Sequence, residues 1–132
     1  MNNNKHFSFS ARIKSLGYAL EGIVLFFKTQ HNAFLQAIAA IVVIIFGFVL
    51  EVNVIEWCFL ITAISLVFIT EMLNTAIEFL TDLASPDIHI QAKKVKDVAA
   101  GAVLMAAIIA VAIGMIIFLP KIIYLLQYHS ER

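Results

Sequence analysis

The sequence predicts an all-α membrane protein: an N-terminal amphipathic surface helix followed by three transmembrane helices. Three observations carry this. Of the 132 residues, 62% are hydrophobic and 14% are charged, whereas soluble domains average about 45–50% apolar. The apolar residues fall in long runs, and the charged ones collect between those runs. The length is that of one domain, so 1–132 is read as a single integral membrane unit. Nine basic and nine acidic residues cancel, which argues against nucleic acid as a partner. The single cysteine, Cys58, rules out a disulfide framework or a cysteine-built metal site within one chain. The polar, basic first residues lead into an amphipathic stretch, so no removable leader is expected.

The surface helix is expected over about 8–28. Phe9, Ile13, Leu16, Leu20, Ile23 and Phe27 recur at alternating steps of 4 and 3, a single helical stripe. Ser8 or Ser10 could cap its start. Arg12, Lys14, Glu21 and Lys28 lie off the stripe, a distribution suited to the plane of the membrane interface; packing on the protein itself is the alternative. Gly17 and Gly22 do not lead into Lys-Ser/Thr, so no phosphate-binding P-loop is present. The polar break at residues 29–32 marks a helix junction.

The first span is expected over 33–50, with Gln36 its only polar side chain. A short acidic connection through Glu51 and Glu56 leads to Trp57, placed as an interfacial anchor. The second span, 56–83, is longer than the ~30 Å hydrocarbon core requires. Glu71 should therefore lie near the membrane boundary and Asp82 about 16 Å further out. Residues 85–94 are expected as a polar loop. The third span, 97–119, should close at Pro120-Lys121. Its small residues Ala102, Ala106, Ala110 and Gly114 recur every fourth position, which allows close helix approach and, for a thin bundle, oligomerisation. The alternative is that alanine is simply common in membrane helices. Cys58, Met72, Met105 and Met115 are read as packing residues, and His31 and His89 as solvated or interfacial. Seven of the nine basic residues lie before the first span or between the second and third, so the N-terminus is expected on the cytoplasmic side.

The chemistry lies at the end of the second span. Glu71, Asn74, Glu78 and Asp82 share a stripe about 80° wide at ~100° per residue, with Thr75 beside it. Ionisable side chains at membrane depth cost ~2.5–3.5 kcal/mol or more, so these acids need partners. A salt bridge to Lys96 is the structural explanation. One lysine does not satisfy three carboxylates and Asp97, so a divalent cation is the stronger reading. Carboxylates that hold Mg²⁺ against phosphate, a lysine for phosphate charge and a further carboxylate to accept a hydroxyl proton are the parts of phosphoryl transfer. An oligomeric ion or proton pathway through the same acids is a rival from another class.

The run EMLNTAIEFLTD followed by KDVAAGAVL resembles the signature of the prokaryotic diacylglycerol kinases and undecaprenol kinases, small integral membrane lipid kinases. The resemblance covers residues 11–120 and implies a homotrimer with active sites shared between neighbours, in the bacterial inner (plasma) membrane. It implies ATP as phosphoryl donor with Mg²⁺, and diacylglycerol as substrate, giving phosphatidic acid. Undecaprenol, or a weakly active or non-catalytic lipid-binding member, is the alternative. By the same resemblance Glu71 is the general base and Asn74 positions phosphate or metal-bound water. Glu78 and the residue at position 30 share the metal, and that residue is here Gln30, an oxygen donor without charge. Tyr18, Asp87, Ile88, His89, Lys96 and Asp97 would contact the nucleotide. Ser15, Leu16, Gly17, Tyr18, Ala19, Leu20, Glu71 and Ala100 would line the lipid site. Phe34 and Gln36 stand where one branch has arginine and histidine, and the basic residue at Arg12 is shifted by one.

Overall fold

The computed structural model describes residues 9–85 and 89–130. These form four helices: α1 (Phe9–Thr29), α2 (His31–Val49), α3 (Val54–Ala84) and α4 (Ile90–Ser130). The last three are long and apolar enough to cross a membrane. No strand occurs among the described residues, and the all-α membrane architecture is as expected.

Each break has a local cause. Gln30 alone separates α1 from α2: its N–H donates to the Phe26 carbonyl at 2.9 Å, ending α1, and its carbonyl accepts from Ala33 N–H at 3.2 Å, opening α2. Between α2 and α3 the chain turns at Glu51, whose φ of 50° lies in the left-handed region. Asn53 then starts α3 with a reciprocal capping box. Its side chain accepts from Glu56 N–H at 3.0 Å, and its own N–H donates to Glu56 Oε2 at 2.8 Å. Two of the orphan donors at the helix start are thereby satisfied.

The stripe Phe9, Ile13, Leu16, Leu20, Ile23 and Phe27 on α1 is exposed, while Phe26 beside it is buried. Within one chain that face is left largely uncovered, and its apolar side chains are available to another surface. α1 packs chiefly on α2, and α3 packs most extensively on α4. The best-buried apolar cluster joins Val52, Leu60 and Ile117, flanked by Val43, Trp57, Ile113 and Phe118. Trp57 is more than an interfacial anchor. Its ring lies over Gly47 and 5.0 Å from the Phe48 ring. Cys58, Met105 and Met115 face outward and do not pack inside the chain.

Two features of α4 differ from expectation. The helix begins at Ile90, so residues 91–94 are helical rather than part of a loop. It also runs through Pro120 instead of stopping there. Proline removes one N–H, here the donor for the Ile116 carbonyl, and a long helix with packing on both sides of the site can absorb that loss. Lys121, the next residue, pairs with Glu56 Oε2 at 3.1 Å and ties this part of α4 to the capped start of α3. The small-residue line is only partly used within the chain. Ala106 is buried, whereas a Cβ added to Gly114 would meet nothing within 4 Å.

Gly47 is the position where size matters most. A Cβ there would lie 2.5 Å from Trp57 Cη2 and 2.8 Å from Cζ2. Gly47→Ala should therefore force the indole to move and lower stability by about 1–3 kcal/mol, read as a lower unfolding midpoint in detergent with helix content unchanged.

Candidate active site

The polar residues of α3 form a gradient from inside to outside. Glu71, Asn74 and Thr75 are 3%, 8% and 4% exposed; Glu78 is half-buried and Asp82 exposed. Helical spacing produces the stripe, and the hydroxyls beside it bond locally. Thr75 Oγ1 donates to the Glu71 carbonyl at 2.9 Å, and Thr81 Oγ1 to the Ile77 carbonyl at 2.7 Å. These threonines thus satisfy themselves without using the acids.

Asn74 and Glu78, one turn apart, are joined. Asn74 Nδ2 donates to Glu78 Oε1 at 2.8 Å. The other end of the same amide, Asn74 Oδ1, is buried without a hydrogen-bond partner. An unpaired buried acceptor costs ~1–3 kcal/mol, and an amide oxygen beside a carboxylate is chemistry that fits a hydrogen-bond donor or a hard cation. Lys96, from α4, pairs with Asp82 rather than with Glu71 or Glu78. The two ion pairs among the described residues use Glu56 and Asp82, which leaves the buried Glu71 carboxylate without a cation. Among the described residues no three His, Cys, Asp or Glu side chains gather around a common point.

The other expected site residues are more dispersed. On α4, Asp97 and Ala100 are exposed near Lys96. His89 is exposed at the start of that helix, where its Nδ1 accepts from Gln91 N–H at 3.1 Å. It serves as a local cap in this state. Asp87 and Ile88 lie outside the described residues. On α1, Tyr18, Ser15, Leu16, Ala19 and Leu20 are exposed and Gly17 is half-buried. Ser15 Oγ donates to the Ala11 carbonyl at 2.9 Å. This segment is open on the surface of the chain. The later part of α1 reaches α3: Phe27 lies 6.1 Å from the Phe68 ring, and Gly22, Leu25 and Phe26 share a cavity of about 230 Å³ with Met72, Thr75, Ala76 and Phe79. Gln30, half-buried, makes no side-chain bond to the start of α2 that it caps, so that amide is not consumed by capping.

Sequence reasoning missed one feature. Gln36 Oε1 is buried without a partner and its residue lines an apolar cavity of about 330 Å³ between α2, α3 and α4, with Ala63, Phe68, Ala110 and Gly114. The signal was present as the only polar residue of the first span.

Three long apolar helices, with an acid–amide–acid stripe near the end of one of them, mark the chain as a membrane protein. The sequence profile of prokaryotic diacylglycerol kinases matches residues 17–118, and the chain belongs to that family. It is 44% identical over 109 residues to the undecaprenol kinase of Bacillus subtilis (strain 168), covering 83% of this chain and 89% of that one. It is 39% identical over 113 residues to a diacylglycerol kinase of Synechocystis, covering 85% of this chain and 65% of that one. It is 31% identical over 108 residues to the diacylglycerol kinase of Escherichia coli K12, covering 82% and 88% respectively.

The Asn74–Glu78 bond is the part of the site most open to a stability test. Asn74→Ala removes the donor that Glu78 uses together with the unpaired Oδ1, so the two effects offset and stability should change by no more than about 1 kcal/mol. Thermal unfolding in micelles measures this, with Glu78→Gln expected to tolerate the same Asn74 side chain.

Proposed function

We propose that this protein transfers the γ-phosphoryl group of ATP to the hydroxyl of a membrane lipid alcohol at the cytoplasmic face of a bacterial inner membrane. Diacylglycerol, the substrate in the family's name, is the first reading. The 44% identity to an undecaprenol kinase favours undecaprenol as the second. The observation that carries the reading is the buried, cation-free Glu71 carboxylate one helical turn from the Asn74–Glu78 pair.

In this mechanism Glu71 accepts the proton of the lipid hydroxyl as that oxygen attacks the γ-phosphorus, while the bond from that phosphorus to the bridging oxygen breaks and ADP leaves. Burial keeps bulk water from competing for the same phosphoryl group. Glu78, the orphaned Asn74 Oδ1 and the side-chain oxygen of Gln30 are hard oxygen donors, the kind Mg²⁺ takes. When bound, the ion would neutralise charge on the ATP phosphates. Lys96 supplies a fixed positive charge to the same phosphates. Tyr18, Asp87, Ile88, His89 and Asp97 are proposed on the nucleotide, and residues 15–20 with Ala100 on the lipid. The exposure of Ser15, Leu16, Tyr18, Ala19 and Leu20 supports this, because a lipid-facing segment must be open to the bilayer. The chain assembles as a homo-oligomer, a trimer by family, with its small-residue line on α4 against neighbours.

The test is transfer of radiolabelled phosphate from ATP to diacylglycerol and to undecaprenol in parallel, using purified protein. Glu71→Gln should lower kcat about 10²–10⁴-fold with an unchanged circular-dichroism spectrum; full activity would remove Glu71 from the mechanism. Gln30→Glu should lower the Mg²⁺ concentration needed for half-maximal rate, and an unchanged titration would remove Gln30 from the metal.

A further inference from the structure

Asp82 is the member of the α3 stripe to which the mechanism above gives no task. It stands at the exposed end of the stripe, four residues beyond Glu78 and therefore on the same face one turn further out. Its carboxylate meets the ammonium of Lys96 on α4, with Oδ1 on Nζ. The pair closes the two helices across the connection between them. It is also open to water: the Lys96 and Asp82 side chains are 38% and 64% exposed. A pair so exposed contributes little to folding, so stability alone is a poor reason for this contact. It does fix where the lysine points.

We infer that Asp82 is a positioning residue that holds the Lys96 ammonium in place for the phosphates of the incoming nucleotide. The inference rests on the lipid-kinase reading of the same site. A free lysine has four rotatable bonds, and ordering it on binding detracts from affinity. Asp82 orders it beforehand. An ammonium has three donors and Asp82 Oδ1 engages one, so others remain for phosphate oxygens without breaking the pair. Asp82 also carries negative charge, which would repel a nucleotide. Its exposure screens that repulsion, while the contact with Lys96 is direct. Orientation therefore outweighs repulsion, and this sets the sign of the expected effect.

The experiment compares wild type with Asp82→Asn, Asp82→Glu, Lys96→Met and the double variant Asp82→Asn/Lys96→Met in detergent micelles. Asp82→Asn should raise KM for Mg·ATP roughly two- to fivefold, the range of an exposed ion pair, with a smaller change in kcat. Asp82→Glu should restore most of the loss, because it keeps the charge. Binding of the magnesium complex of a non-hydrolysable ATP analogue, measured by calorimetry, supplies a readout independent of turnover. There Asp82→Asn should weaken binding in the wild-type background and have no effect in Lys96→Met. An unchanged or lowered KM in Asp82→Asn would overturn the positioning role. So would an Asp82→Asn effect on analogue binding that persists undiminished without Lys96. Wild-type protein that binds the analogue but phosphorylates neither lipid would count against the lipid-kinase reading and leave the coupling between Asp82 and Lys96 measurable.

Discussion

The antiparallel pairing of α3 with α4 is the constraint on which the rest of the structure depends, and an ion pair marks each of its ends. Glu56 pairs with Lys121 at one end and Asp82 with Lys96 at the other. The acids are 26 residues apart on α3 and the lysines 25 apart on α4. The two helices thus rise together over about 38 Å at 1.5 Å per residue. Pro120 falls inside that alignment and does not spoil it. The spacing exceeds a ~30 Å hydrocarbon core, so both charged pairs can reach polar surroundings while the apolar cluster around Leu60 and Ile117 fills the space between. Each pair contributes little energy where it is exposed, but together they specify one register against neighbours a turn away.

That register sets the depth of the polar stripe. Measured along α3 from Glu56, Glu71 lies about 22 Å away and Glu78 about 33 Å away. A hydrocarbon core that begins at Glu56 would end between them. The stripe then straddles the boundary, with the buried acid on the lipid side and the half-buried one on the water side. Lipid and nucleotide are soluble in different phases, and a helix that carries polar groups through the boundary is a simple way to serve both. A carboxylate at that depth is costly, and the neighbouring Thr75 hydroxyl bonds to the Glu71 backbone carbonyl and does nothing to offset it.

Much of this was legible in the sequence because membrane spans and helical stripes are strong signals. Gln30 and Asn53 interrupt the apolar runs where the helices break, and the i, i+3, i+7 and i+11 spacing of Glu71, Asn74, Glu78 and Asp82 put them on one face. The features that escaped depend on tertiary pairing. Lys121 follows a proline and reads as a stop, yet its bond to Glu56 and the packing of Ile117 and Phe118 keep α4 helical through the site. Residues 91–94 read as loop through Gln91, Lys93 and Lys94, but they form the first turn of a helix. A choice of partner is invisible to composition as well: Lys96 could have met any of three acids on α3, and the helix alignment selects Asp82.

The selection of Asp82 has a consequence for the other two acids. Had Lys96 met Glu71, the buried carboxylate would have been held in an ion pair with a fixed cation. Had it met Glu78, the ammonium would have competed with Asn74 for that carboxylate. With Lys96 held at the exposed end, Glu71 has no lysine on it, and Glu78 keeps its bond from Asn74, whose Oδ1 is unpaired. The lysine still carries its charge toward the mouth of the site, where a polyanion would arrive from water. One exposed ion pair of small energy thus keeps the proposed base and metal ligand on α3 apart from the proposed phosphate anchor on α4.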